Sequence, residues 1–151
     1  MQSTTKVLFL CTGNPSRSQM AEGFMRAYAG PHVEVVSAGV EPRPVDPLTV
    51  EVMREVGIDI SAQRSKDVPA VLKEHFAFFV GVCDMSKERC PIFPFAYKLL
   101  KWNLEDPSAV VGSREHRLLA FRRVRDRIAG KIRRLVSDLG PELQSRLKLA
   151  S

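Results

Sequence analysis

The chain has 151 residues, of which 44% are hydrophobic and 26% charged, a balance typical of one globular domain. No apolar run is long enough to span a membrane and the polar start lacks the layout of a secretion signal, so we expect a cytoplasmic protein. The net charge of +6 comes largely from residues 114–134 and 146–148, without an aromatic platform for nucleic acid. We therefore expect a small anionic substrate, with neither nucleic acid nor a membrane as partner.

The first part of the chain predicts strands that alternate with helices. Residues 6–10 and 33–37 are short, β-prone apolar runs, and each predicts a strand. Between them, apolar residues recur every four positions over 20–28, as one face of a helix requires. Asp46, followed by a proline, is a typical N-cap, and Gly57 is a typical end for that next helix.

The second part of the chain predicts two more strands and a long helix. The run 76–82 is almost continuously apolar, as a strand covered on both faces should be, and 97–102 predicts a fourth strand. Apolar residues spaced by three or four predict a helix over 113–139. We expect an α/β three-layer sandwich with a four-stranded parallel sheet, formed by a domain over 1–139 with a short C-terminal extension over 140–151.

The strongest chemical motif lies at the end of the first predicted strand. Cys11 ends that strand, Arg17 follows a loop of five residues, and Ser18 opens the next helix. A helix N-terminus and a nearby arginine lower the pKa of a thiol from ~8.5 and so favour the nucleophilic thiolate. The motif predicts a nucleophilic cysteine beside an oxyanion site. The alternative is a small buried cysteine and a surface arginine.

The loop itself suits an oxyanion because its backbone N–H groups can turn inward and a guanidinium offers two parallel hydrogen bonds. Gly13 and Asn14 tolerate the positive φ that such a loop uses. The carboxyl ends of parallel strands are also where ligands bind in this kind of sheet. The predicted oxyanion-binding residues are Thr12, Gly13, Asn14, Pro15, Ser16, Arg17 and Ser18.

Asp106 is the candidate general acid. It precedes Pro107 in a segment rich in residues that break regular structure, so we expect it in a loop. A carboxylic acid near the bound anion can protonate the departing oxygen. Without the oxyanion motif, the same dipeptide would indicate only a turn.

The other two cysteines are Cys83, at the end of the third predicted strand, and Cys90, seven positions later. Three cysteines in a reducing compartment do not form a disulfide framework, so each is a core residue or takes part in chemistry. Their spacing lies outside the usual range of zinc ligands, and no histidine is close.

The motif-bearing segments resemble one family. Residues 7–23, VLFLCTGNPSRSQMAEG, closely resemble the start of thioredoxin-coupled arsenate reductases, which share the fold of low-molecular-weight protein tyrosine phosphatases. The resemblance covers residues 6–138 and continues through 37–39, 55–61, 83–91, 106–107 and 120–126. It implies that Cys11 is the nucleophile, that Arg17 and the loop hold the oxyanion, that Ser18 supports the thiolate, and that Asp106 is the acid.

The resemblance also implies a role for the remaining cysteines. Cys11 attacks arsenate, Cys83 attacks the Cys11 sulfur to release arsenite, and Cys90 attacks Cys83, which leaves a disulfide for thioredoxin. A phosphatase needs only the first cysteine, because water completes its cycle. Seven residues of helix span roughly 10 Å, more than the ~7 Å that a disulfide allows between Cα atoms. Any helix over 83–90 must therefore unwind.

The chain departs from the family at two places. Most relatives have a further cysteine just before the arginine, whereas this chain has Ser16. Relatives that bind potassium use residues matching Asn14, Glu22 and Ser37 plus an aspartate that aligns with Lys66. A lysine there argues against the cation because its ammonium can take the same electrostatic role, although an aspartate is adjacent.

Two other functions remain open. The first is a phosphatase acting on phosphotyrosine; such enzymes usually have an aromatic residue directly after the Asp-Pro pair, where this chain has Ser108. The second is a non-catalytic redox sensor that binds phosphate or a partner and switches through Cys83 and Cys90. Steady arsenite production with thioredoxin distinguishes the enzyme from the sensor. For the arsenate reductase and for both alternatives, we expect a monomer.

Overall fold

The structure is a computed structural model that describes residues 5–11, 16–30, 33–68, 75–84 and 98–150, with 140–150 as backbone alone. Its centre is a parallel four-stranded sheet in the order β2-β1-β3-β4. The strands are β1 (Thr5–Cys11), β2 (Val33–Gly39), β3 (Phe78–Cys83) and β4 (Lys98–Asn103). The helices whose bounds lie within the described residues are α1 (Arg17–Ala29), α2 (Pro47–Glu55) and α3 (Arg114–Ala150). The four predicted strands are confirmed to within two residues at each end.

Both faces of the sheet are buried at its centre, over β1 and β3, in agreement with the three-layer α/β fold. Successive residues of a strand point to opposite faces. Val7 and Phe9 therefore belong to the main core, which the sheet forms with α1, α2 and α3. The residues that alternate with them belong to a second buried cluster on the opposite face, formed by Leu8, Leu10, Ala38 and Phe79.

The predicted start and end of α2 are confirmed by its local geometry. The Asp46 carboxylate accepts a hydrogen bond from the Leu48 N–H at 2.9 Å, as an N-cap should, and Pro47 is the first helical residue. Gly57 has φ of +81°, a conformation that glycine adopts without a steric penalty.

The predicted end of the last helix at Leu139 is wrong, because α3 continues to Ala150. Residues 142–149 are mostly glutamate, leucine, glutamine, arginine and lysine, which are strong helix formers. These preferences outweigh the backbone hydrogen bond that Pro141 cannot make. The division of the chain at residue 139 stays a prediction. Over the described ranges, none of the helices combines the length and apolar character needed to cross a bilayer.

Candidate active site

Cys11 and Ser18 lie in direct contact where β1 leads into α1. Both residues are completely buried, and the Cys11 Sγ lies 3.0 Å from the Ser18 Oγ. Ser18 is in the first turn of the helix, so the thiol lies beside the positive end of the helix dipole. A hydroxyl at this distance can donate a hydrogen bond to a thiolate.

Arg17 is buried rather than exposed, which excludes the interpretation of it as a surface helix residue. Only 1% of the residue is exposed. Its Nη1 donates a hydrogen bond to the Leu104 carbonyl at 3.0 Å, and the Leu104 N–H donates to the Cys83 carbonyl at 2.9 Å. The backbone of Leu104, which follows β4 and is hydrogen-bonded to the last residue of β3, therefore positions the guanidinium.

Asp106 lies close to the same guanidinium. Its Oδ2 is 3.7 Å from the Arg17 Nη2, while its Oδ1 accepts hydrogen bonds from the Ser108 N–H at 3.0 Å and the Ser108 Oγ at 2.6 Å. Pro107–Ala109 form a single turn of 3-10 helix that Asp106 caps. The carboxyl therefore has one oxygen facing the buried arginine and one held by its own loop.

These side chains come together because the strands are parallel. The ladder aligns Cys11 with Gly39 of β2 and Cys83 with Asn103 of β4. All four strands therefore end at the same edge of the sheet, where open α/β sheets bind their ligands. Cys83 is the last residue of β3 and, like Cys11, is a buried thiol.

Only part of the predicted oxyanion loop can be compared with the structure. Thr12, Gly13, Asn14 and Pro15 lie outside the described residues. Cys90, the third predicted redox cysteine, also lies outside them, as does most of the segment that would have to unwind if it were helical. Ser16 precedes α1 and is completely buried. Within the described ranges its hydroxyl has no hydrogen-bond partner, and its side chain does not cap the helix.

Glu22 and Ser37, two residues that the family resemblance relates to a potassium site, lie in a cluster with Lys66 and Arg26. The Ser37 Oγ donates to the Glu22 Oε1 at 3.0 Å, and the Lys66 Nζ lies 3.9 Å from the same oxygen. The Arg26 Nε is 3.6 Å from Oε2. Two cations therefore face a carboxylate on a residue that is 1% exposed. The fourth matching residue, Asn14, is outside the described ranges.

No cluster of three or more histidine, cysteine, aspartate or glutamate side chains lies together as a metal site in the part of the chain that the structure describes. Lys66 is held next to β2, because its carbonyl accepts a hydrogen bond from the Gly39 N–H at 2.8 Å. This contact holds the Lys66 backbone close to the end of β2.

Two groups that position the site have little signal in the sequence. No side chain marks the Leu104 carbonyl as an acceptor. Ser108 departs from the family pattern as a replacement for an aromatic residue, which does not indicate a contact with Asp106. Its position two residues after an aspartate was the available signal, since aspartates often accept hydrogen bonds from the residue two positions later.

The chain is similar to known proteins of one family. The profile of the family described as low molecular weight phosphotyrosine protein phosphatase matches residues 6–145. The arsenate reductase of Shouchella clausii is 42% identical over 128 residues, which are 85% of this chain and 92% of that protein.

Solved structures give the same relationship. A structure described as an arsenate reductase in the phosphate binding state is 31% identical, has a TM-score of 0.77, and covers 89% of this chain and 98% of its own. The thioredoxin-dependent arsenate reductase of Corynebacterium glutamicum is 27% identical with a TM-score of 0.71, over 93% of this chain and 64% of that one. Because the family profile matches residues 6–145, which include the nucleophile loop, and these arsenate reductases cover 85% to 93% of the chain, the chain belongs to the low molecular weight phosphotyrosine protein phosphatase family, in the group of its arsenate reductases.

Proposed function

We propose that this enzyme reduces arsenate to arsenite with Cys11 as nucleophile, followed by a relay through Cys83 and Cys90 that thioredoxin regenerates. The observation that carries the proposal is the buried contact of 3.0 Å between the Cys11 Sγ and the Ser18 Oγ, at the sheet edge where Arg17 is also buried. The similarity to arsenate reductases over most of the chain supports the choice of substrate.

In the first step, the Cys11 thiolate attacks arsenic. The Ser18 hydroxyl donates a hydrogen bond that stabilises the thiolate before attack, and the Arg17 guanidinium and the loop N–H groups hold the arsenate oxygens. Asp106 donates a proton to the departing oxygen, which leaves as water. The product is a covalent adduct between Cys11 sulfur and arsenic(V).

In the second step, the Cys83 thiolate attacks the Cys11 sulfur. A sulfur–sulfur bond forms, the sulfur–arsenic bond breaks, and its electron pair reduces arsenic(V) to arsenic(III), which leaves as arsenite. The Cys90 thiolate then attacks Cys83 and releases the Cys11 thiolate. The two thiols of thioredoxin finally reduce the bond between Cys83 and Cys90.

The position of Cys83 supports its role in this relay. The Cys83 carbonyl accepts a hydrogen bond from the Leu104 N–H, and the Leu104 carbonyl accepts one from Arg17. The backbone of Cys83 is therefore linked, through the backbone of Leu104, to the side chain that is proposed to hold the anion. The similarity to a thioredoxin-dependent arsenate reductase supports thioredoxin as the electron donor.

We infer that the enzyme works without potassium. The Lys66 ammonium lies 3.9 Å from Glu22, the carboxylate that would otherwise bind the cation. The Lys66 ammonium, which also donates a hydrogen bond to the Arg64 carbonyl at 3.1 Å, places a positive charge near the buried carboxylate and so reduces the electrostatic advantage of a free ion there.

The second candidate function is hydrolysis of phosphate monoesters at the same site. The family profile over residues 6–145 favours it, since a phosphatase uses the same nucleophile, arginine and acid. Ser108 stands where an aromatic wall for the substrate ring is usual, so we expect this activity to be weak. The redox-sensor alternative predicts no steady turnover of arsenate.

We also propose that the enzyme is a cytoplasmic monomer. The proposed cycle supports the compartment, because cytoplasmic thioredoxin keeps thiols reduced and so returns Cys83 and Cys90 to the active state.

The test compares Cys83→Ser with Cys90→Ser in the presence of thioredoxin, thioredoxin reductase and NADPH. Cys90→Ser should release one arsenite per enzyme and stop as the disulfide between Cys11 and Cys83, because no internal thiol then frees the nucleophile. Cys83→Ser should stall earlier, at the arsenic adduct. Both variants should still hydrolyse an aryl phosphate. Mass spectrometry of thiol-trapped protein identifies each stalled species, and many turnovers by Cys90→Ser at the wild-type rate would refute the relay.

A further inference from the structure

The two oxygens of the Asp106 carboxyl have different environments. Oδ1 accepts two hydrogen bonds from Ser108, from the backbone N–H at 3.0 Å and from the side-chain Oγ at 2.6 Å. Oδ2 lies 3.7 Å from the Nη2 of the buried Arg17. One oxygen is thus held by the loop, and the other faces the proposed oxyanion site.

This asymmetry favours one oxygen of the carboxyl as the site of a proton. A backbone N–H can only donate, and a carbonyl oxygen accepts a hydrogen bond better than a hydroxyl oxygen does. The contacts with Ser108 therefore favour the proton of a neutral Asp106 on Oδ2, the oxygen that faces Arg17. Rotation of the carboxyl by half a turn would exchange the two oxygens, placing the protonated oxygen against the Ser108 N–H and pointing it away from the site.

The backbone and the side chain of Ser108 contribute separately to this arrangement. The turn Pro107–Ala109 places the Ser108 N–H near the carboxyl, and the Ala109 N–H donates to the Asp106 carbonyl at 3.2 Å. An alanine at position 108 would keep these backbone contacts. Only the hydroxyl, which makes the shorter of the two contacts with Oδ1, is specific to serine or threonine.

We propose that the Ser108 hydroxyl is a positioning group that holds the Asp106 carboxyl with its acidic proton directed at the departing oxygen. This inference rests on the proposed function, in which Asp106 is the general acid. In that step the Cys11 sulfur bonds to arsenic or phosphorus while the bond to the departing oxygen breaks. The departing oxygen takes the Oδ2 proton and leaves as water or, from an aryl ester, as a phenol. Asp106 is left as a carboxylate.

Ser108→Ala tests the proposal through the basicity of the leaving group. Phenyl phosphate has a basic leaving oxygen that needs the proton, whereas 2,4-dinitrophenyl phosphate departs easily without it. In single-turnover assays, Ser108→Ala should slow release of phenol about 10-fold, a part of the 10²–10⁴-fold that a general acid supplies. Release of dinitrophenol and the KM for both esters should stay at the wild-type values. Ser108→Thr keeps a hydroxyl and should restore the rate with phenyl phosphate.

The matched control is Ser113→Ala. It also removes one hydroxyl contact from the loop before α3, since the Ser113 Oγ accepts from the His116 N–H at 3.1 Å, but it makes no contact with Asp106. This control should leave both rates unchanged. Equal slowing of both esters by Ser108→Ala, or no slowing of either, would overturn the positioning role.

Asp106→Asn separates this inference from the proposed function. Wild-type release of phenol by Asp106→Asn would show that Asp106 is not the acid, and the proposed function would fail at that step. If Asp106→Asn is slow but Ser108→Ala is not, only the inference about Ser108 fails. In the Asp106→Asn background, Ser108→Ala should cause no further loss, because the hydroxyl acts through the acid; a further 10-fold loss would contradict this.

Discussion

Two clusters in the molecule each combine arginine with a carboxylate, but the distances between the charged groups differ. At the active-site edge, Arg17 is held by the Leu104 carbonyl at 3.0 Å and lies 3.7 Å from Asp106. On the outer side of the molecule, Arg122 makes contacts of 2.7 to 3.2 Å with the Glu55 carboxylate. Arg125 contacts the same carboxylate at 2.8 Å.

The outer cluster connects α2 to α3 by hydrogen bonds and ion pairs. The hydrogen bonds from Arg122 hold the pKa of Glu55 below its usual range, and the same contacts raise the pKa of Arg122. Arg125 also donates to the Val52 carbonyl at 3.0 Å, which ties α2 to α3. Each charge in this cluster is matched to a partner at hydrogen-bond distance.

In the active-site cluster, each charged side chain has its own hydrogen-bond partner. The Leu104 carbonyl accepts a hydrogen bond from Arg17, and Ser108 donates to Asp106. The distance between them is longer than the ~2.7–2.9 Å of a charge-assisted hydrogen bond. The comparison teaches that the arginine proposed to bind the anion lies beyond hydrogen-bond distance of its neighbouring carboxylate, whereas Arg122 and Arg125 are hydrogen-bonded directly to theirs.

The largest expected effect is that of Cys11→Ser. The variant should have no measurable arsenate reduction or aryl phosphate hydrolysis, because a hydroxyl does not become an anion near neutral pH. Arsenite production and release of p-nitrophenol measure the two activities. Turnover of either substrate would rule out Cys11 as the nucleophile. The Arg17 and Asp106 cluster could then no longer be compared with the outer cluster as an active site.

Arg17→Lys should be nearly as severe and tests the comparison directly. A point charge replaces the planar fork, so we expect kcat/KM for arsenate to fall about 10²-fold or more. Arg122→Lys makes the same chemical change in the outer cluster and should leave kcat/KM unchanged. Similar kinetic losses in the two variants would show that the clusters do not differ in function.

Lys66→Asp tests whether a built-in cation replaces potassium, with a smaller effect. The wild-type enzyme should have the same KM for arsenate in KCl and NaCl at equal ionic strength. The substitution places a second carboxylate near Glu22, and like charges in one place favour a bound cation. The variant should then show a lower KM in KCl than in NaCl. Potassium stimulation of the wild type would contradict the proposed role of Lys66.

The smallest expected effect is that of Glu55→Gln, which removes the negative charge that Arg122 and Arg125 contact. Because the folded-state pKa of Glu55 is lowered, its carboxylate stabilises the fold above its ordinary pKa of 4.5, and this contribution is lost as pH falls through the folded-state value. At pH 7 the variant should lose less than about 1 kcal/mol, since solvent screens a partly exposed pair. Urea unfolding at pH 7 and pH 3 should show the difference only at pH 7, with kcat/KM at pH 7 unchanged.

The sequence by itself determined the elements and the reactive motif. Apolar periodicity located the four strands, and Asp46 with Gly57 located the ends of α2, because these signals depend on residues that are neighbours in the chain. The spacing of Cys11 and Arg17 predicted the chemistry for the same reason. The end of α3 was predicted too early, since helix preferences after Pro141 were stronger than the expected break.

Only the tertiary structure decided which groups hold the reactive side chains in place. Arg17 and the Leu104 carbonyl are 87 positions apart, and their contact depends on parallel strands ending at one edge of the sheet. The contact between Lys66 and Glu22 likewise depends on the segment that lies beside β2. Such contacts are not encoded by spacing, because they form between segments that the sheet brings together and in part use backbone groups that every residue shares.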